Sequence, residues 1–113
     1  MTAVLVVSPD RRFLRVTEFL LRRRGLVATT SERREDAMRT LARTPTDAVV
    51  VDAEGSPAEA AAWTRALKVL HPAVAVVVAV EPASASSGAT LVSKWSPVEE
   101  LANAIEVALC KTS

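Results

Sequence analysis

Asp52 closes the apolar run Ala48-Val49-Val50-Val51, and Ser8 closes the run Ala3-Val4-Leu5-Val6-Val7. A polar side chain at the carboxyl end of a buried strand sits where open α/β sheets bind ligands and carry out chemistry. Lys94 follows Ala89-Thr90-Leu91-Val92-Ser93 and adds an ammonium, a compact point charge suited to a phosphate. A carboxylate with an ammonium on the same edge makes phosphate chemistry at Asp52 the first chemistry to consider, with Lys94 the one partner present. An ordinary Asp52–Lys94 salt bridge is the structural alternative. Three Ser-Pro pairs, Ser8-Pro9, Ser56-Pro57 and Ser96-Pro97, follow strands on this same edge. The last two continue to Glu59 and Glu99 as capping boxes with proline at the first helical position. They are either good caps or, together, an anion site built from helix N-termini.

The elements that must position these groups alternate between two periods. Ala3 to Val7 is a continuous apolar strand, buried on both faces. Phe13, Val16, Thr17, Leu20 and Leu21 recur at helical spacing, and Gly25 stops that helix. Leu26 to Thr30 reads as a weaker strand. Ala37, Met38, Leu41 and Ala42 mark a second helix ending before Pro45, and Asp47 to Val51 is the third strand. The Ala-rich stretch from Pro57 to Leu70 is a helix stopped by His71-Pro72. Val74 to Val80 and Ala89 to Ser93 are the last strands, and Val98, Leu101, Ile105 and Leu109 define the final helix. Strands alternating with helices imply right-handed parallel crossovers. The expected fold is α/β, a five-stranded parallel sheet of flavodoxin-like order 2-1-3-4-5. Its switch point lies between the first and third strands, at Ser8 and Asp52. Only eight residues, 81–88, separate the last two strands, where a parallel crossover normally takes about ten or more. They carry no apolar period, so helix 4 is expected to be missing or rudimentary, leaving one sheet edge thinly covered.

A chain of 113 residues makes a single domain, 1–113, around one core. No apolar run approaches the ~18 residues of a membrane helix, and no basic leader precedes the first strand. The lone Cys110 excludes an internal disulfide and a zinc site. A cytoplasmic protein without a membrane partner is the simplest reading. Residues 1–50 hold ten Arg against six acids, whereas residues 51–113 hold seven acids against four Lys or Arg. This asymmetry concerns surfaces rather than fold.

Taken in order, these pieces resemble the receiver domain of bacterial two-component response regulators. The carriers are Val4-Leu5-Val6-Val7, Leu20-Leu21 to Gly25, Glu35-Asp36-Ala37-Met38, Asp47-Ala48-Val49-Val50-Val51-Asp52, Gly88-Ala89, and Lys94 before Ser96-Pro97-Val98-Glu99-Glu100-Leu101. The resemblance spans nearly the whole chain. It implies that Asp52 holds the position phosphorylated by a histidine kinase and that Lys94 is the phosphate-pairing lysine. It implies a signalling module rather than an enzyme.

The departures from that pattern are equally specific. The family's acidic pair, which holds Mg²⁺ together with the phosphoacceptor, is replaced by Ser8 and Pro9. Mg²⁺ demands oxygen ligands in near-octahedral array; proline supplies no side-chain ligand and a serine hydroxyl only a weak one. Asp10 is next in line; if Pro9 starts the helix, Asp10 falls in its first turn and complements the dipole. The place of the family's Thr or Ser ending the fourth strand is held by Val80, and that of the aromatic switch on the fifth strand by Leu91. The family's Lys-Pro pair becomes Lys94-Trp95; a cis bond there would cost about 2.5–4 kcal/mol, so a trans bond and a reshaped turn are expected. The expectation is an atypical, degenerate receiver, a pseudo-receiver that binds protein independently of phosphorylation. No cofactor is expected; the alternative is a phosphoacceptor with weak Mg²⁺ at Asp10, Asp52 and Glu54. A nucleotide- or flavin-binding domain is disfavoured because Ser8-Pro9-Asp10 holds no glycine.

Binding would then fall to fixed surfaces. On the first helix Arg12, Arg15, Arg22 and Arg23 group around Phe19, away from Phe13, Val16 and Leu20. Such a stripe suits a protein partner, or is a solvated face whose arginine stems cover apolar surface. With no recognition motif and a net charge of +1, direct nucleic-acid binding is not expected. The last helix offers Asn103, Val107 and Cys110 beside the thinly covered edge, which favours a homodimer or a constitutive complex. Trp63 and Trp95 read as packing residues, and His71 as a turn residue.

Overall fold

The computed structural model describes residues 2–53, 57–80, 90–93 and 98–112. Their elements run β1 (Ala3–Val7), α1 (Arg11–Arg23), β2 (Val27–Ser31), α2 (Arg34–Arg43), β3 (Ala48–Asp52), α3 (Pro57–Leu70), β4 (Ala75–Val80), β5 (Thr90–Ser93) and α4 (Val98–Thr112). The strands form one parallel sheet in the order β2-β1-β3-β4-β5. The segment 81–89, in which the crossover helix is expected to be missing, lies outside the described residues, as do Glu54, Lys94 and Trp95.

Because side chains alternate across a strand, the sheet feeds two cores. Val4, Val6, Val50 and Val77 point to one face, where Phe13, Leu14 and Leu21 of α1 and Leu101, Ile105 and Ala108 of α4 cover them. Leu5, Val7, Val49, Val51, Val76 and Val78 point to the other, under Ala37 and Leu41 of α2 and Ala60 and Leu67 of α3. Unbroken Val/Leu runs are what a sheet buried on both faces requires. Met38 and Trp63 pack against the second core, and the Arg34 guanidinium lies 5.5 Å from the Trp63 ring. Trp63 therefore has the packing role its position suggests.

Three local expectations change. The α1 stripe facing the sheet is Phe13, Leu14, Thr17 and Leu21, while Val16 is 40% exposed and Leu20 only half-buried. The chain carries two overlapping helical stripes, and the one with leucines at 14 and 21 is buried. The end of α1 holds that orientation. Gly25, at φ +83°, donates to the Arg22 carbonyl, and the Leu26 N–H reaches back to Leu21 at 3.1 Å. This is a Schellman stop, with Leu26 packed on the first core. Leu26 therefore belongs to the helix stop, and β2 begins at Val27. Similarly, Asp47 precedes β3 rather than opening it. Its carboxylate accepts from the Ala3 N–H at 2.7 Å, and its own N–H donates to the Ala3 carbonyl at 2.8 Å, clamping β3 to β1.

Candidate functional site at the β1–β3 crevice

The register Val7↔Val51 places the residues that follow these two partners, Ser8 and Asp52, side by side at the carboxyl edge. Ser8 is 1% exposed and Asp52 6%. The Ser8 hydroxyl donates to Asp52 Oδ2 at 2.5 Å. The same hydroxyl oxygen accepts from the Asp10 N–H at 3.0 Å. The Ser8 N–H donates to the Ser31 carbonyl at 3.1 Å, so the end of β2 is tied in as well. Beyond Asp52, the Ala53 N–H donates to the Ala79 carbonyl at 2.9 Å, which carries β3 one residue further along β4.

Asp10 does not lie within the first turn of α1. It is the N-cap, in extended conformation, and its Oδ1 accepts from the N–H groups of Arg12 (3.0 Å) and Phe13 (3.2 Å). The helix starts at Arg11 rather than Pro9, so Ser8 is released from capping and turns to Asp52. An anion site at this helix start is thereby filled by the protein's own carboxylate. Ser56 and Ser96 of the other two Ser-Pro pairs lie outside the described residues.

The donor set does not suit Mg²⁺. Pro9 has no side-chain ligand atom, the Ser8 hydroxyl is engaged as donor and acceptor, and the Asp10 Oδ1 holds the α1 N-terminus. Among the described residues no group of three His, Cys, Asp or Glu side chains could hold a metal ion. Glu54, the third ligand of the weak site considered from sequence, is outside them. Val80 ends β4 opposite Ser93, and Leu91 pairs with Val78 within β5, so both backbones lie at or near this edge.

The interaction candidates fall on the opposite side of α1 from the core. Phe19 is 59% exposed beside Val16, and the Arg23 guanidinium lies 5.7 Å from the Phe19 ring. Arg12 and Arg15 are exposed on the same side. Arg22 departs from the group: it pairs with Glu18 at 3.1 Å and donates to the Ala28 carbonyl at 3.1 Å. On α4, Val107 is 48% exposed, and Asn103 and Cys110 are also exposed. Arg24 at the end of α1 pairs with Glu99 at the start of α4. The Glu99 carboxyl is held below the usual range by its own backbone N–H, with the Arg24 charge adding to the effect. The Arg11 guanidinium is pushed up by its hydrogen bond to Glu32.

Sequence reasoning placed Ser8 in the crevice but missed its bond to Asp52. The signal was available in the equal endings of the two apolar runs, once a parallel register joins them. The Arg11–Glu32 pair, at 2.7 Å, and the role of Ser31 were not foreseen. Both depend on where β2 ends.

No family model and no curated protein matches the chain. Solved structures do. A response regulator from Thermotoga maritima superposes with a TM-score of 0.82 at 21% identity, over 97% of this chain and 98% of that one. The beryllofluoride-activated NtrC4 receiver domain dimer gives 0.86 at 20% identity, with both chains fully covered. A response regulator protein from Burkholderia pseudomallei, with a phosphorylated aspartic acid, calcium ion and citrate, gives 0.81 at 18% identity over 98% and 70% of the two chains. The fold is that of response-regulator receiver domains.

Proposed function

We propose that this chain is an atypical receiver that signals through fixed protein-binding surfaces without phosphorylation, as a bacterial, cytoplasmic module with no enzymatic activity of its own. The observation that carries the reading is the outer face of α1. Phe19 and Val16 stand exposed on a helix whose sheet-facing stripe is already filled, with Arg12, Arg15 and Arg23 around them. Fully burying an aromatic side chain of this kind is worth about 1.5–3 kcal/mol, and flanking arginines select an acidic partner surface. Val107 and Asn103 on α4 supply a second contact, suited to a homodimer or a constitutive complex.

A second reading has a specific observation behind it. Asp52 closes β3 at the switch point, and the Burkholderia protein, which shares the fold, holds a phosphorylated aspartic acid; a histidine kinase would then be a partner. Beryllofluoride with Mg²⁺ separates the two. Under the interaction reading it leaves light-scattering mass and partner capture unchanged, as does Asp52→Asn, while Phe19→Glu or Val107→Glu lowers them. Binding that responds to beryllofluoride and is lost in Asp52→Asn would establish the phosphoacceptor instead.

A further inference from the structure

We infer that Ser8 is a positioning residue for Asp52 whose hydroxyl stands in for a divalent cation, making the crevice indifferent to such cations. The inference rests on the receiver-like fold but not on which surface binds a partner. A carboxylate this deeply buried must be hydrogen-bonded or paired. Elsewhere a cation can meet that need; here the Ser8 proton is directed onto Oδ2 at 2.5 Å. The hydroxyl is itself held from both sides, since Asp10 N–H donates to its oxygen and Ser8 N–H is anchored on the Ser31 carbonyl. A rotor fixed this way loses little further freedom in making the bond.

The same connections oppose a metal ion. To reach Oδ2 an ion must displace the Ser8 proton, and among the described residues the polar side chains beside it, Ser8 and Asp10, already carry hydrogen bonds. Pro9 offers no side-chain oxygen, and swinging the Asp10 Oδ1 inward would strip the cap from Arg12 and Phe13. Replacement of Ser8 by a carboxylate would reverse the situation, because two acids facing each other in a buried crevice repel unless a cation lies between them.

Magnesium chloride titration of the whole chain, followed by the amide shifts of Ser8 and Ala53 and by thermal unfolding, tests this. The wild-type protein is expected to show no saturable shift and no Mg²⁺-dependent rise in Tm. Ser8→Asp is expected to bind Mg²⁺ at least about tenfold more tightly and to recover in Mg²⁺ the Tm it loses without it. Should Ser8→Asp not fold, a double-mutant cycle of Ser8→Ala with Asp52→Ala keeps the question decidable. The Ser8→Ala loss should largely vanish in the Asp52→Ala background. Wild-type protein that binds Mg²⁺ as tightly as Ser8→Asp, or strictly additive losses in the cycle, would overturn the inference.

Discussion

The crevice and the outer face of α1 make opposite use of their polar chemistry. In the crevice Ser8, Asp10 and Asp52 form hydrogen bonds with one another and with the backbone. Among the described residues no buried side-chain nitrogen or oxygen is left without a partner. On α1, less than three helical turns away, Phe19 and Val16 face solvent between arginines. The residue with the best position for chemistry is thus buried and hydrogen-bonded within the fold, and the residues of the proposed binding face lie on the side of α1 away from the core. The position of Asp52 at a switch point does not by itself establish its use.

The sharpest way to break this contrast is across α1 itself. Leu21→Ala, on the fully buried side, should cost about 2–5 kcal/mol in denaturant unfolding. Phe19→Ala should stay within about 0.5 kcal/mol of wild type while lowering partner capture or self-association. Equal losses of stability would mean that Phe19 is packed in solution and the face is not free. Next in size is Ser8→Ala. Removing a buried donor to a carboxylate should cost about 1.5–3 kcal/mol by the same measurement, with partner capture unchanged. A neutral result would mean that the crevice does not depend on its internal bond.

Asp10→Ala should cost about 1 kcal/mol, as the loss of an N-cap does, and should speed amide exchange at Arg12 and Phe13 before other α1 amides. The smallest effect belongs to Glu99. Its folded pKa is depressed, so its contribution to stability is present above the ordinary glutamate range and is lost as pH falls through the folded value. Glu99→Gln should flatten that acid limb slightly and do nothing at neutral pH to the crevice. With the pair exposed and screened, salt should shrink the difference further.

Much of the molecule follows from local pattern alone. Continuous Val runs called for strands buried on both faces, and β1 and α3 have the bounds read from periodicity and from the Pro57 and His71-Pro72 punctuation. Alternating elements called for a parallel sheet with Ser8 and Asp52 at one switch point, because parallel crossovers of fixed hand leave few other arrangements. Tertiary structure decided the rest. Phe13-Leu14-Thr17-Leu21 and Phe13-Val16-Thr17-Leu20 are both plausible helical stripes, and only packing on β1 and the stop at Gly25–Leu26 chooses between them. A serine before a proline and an aspartate can cap a helix or leave that task to the aspartate. What drew Ser8 away is a carboxylate 44 residues distant along the chain, brought to 2.5 Å by the β1–β3 register. No local propensity encodes that distance; it exists only once two non-adjacent strands are paired.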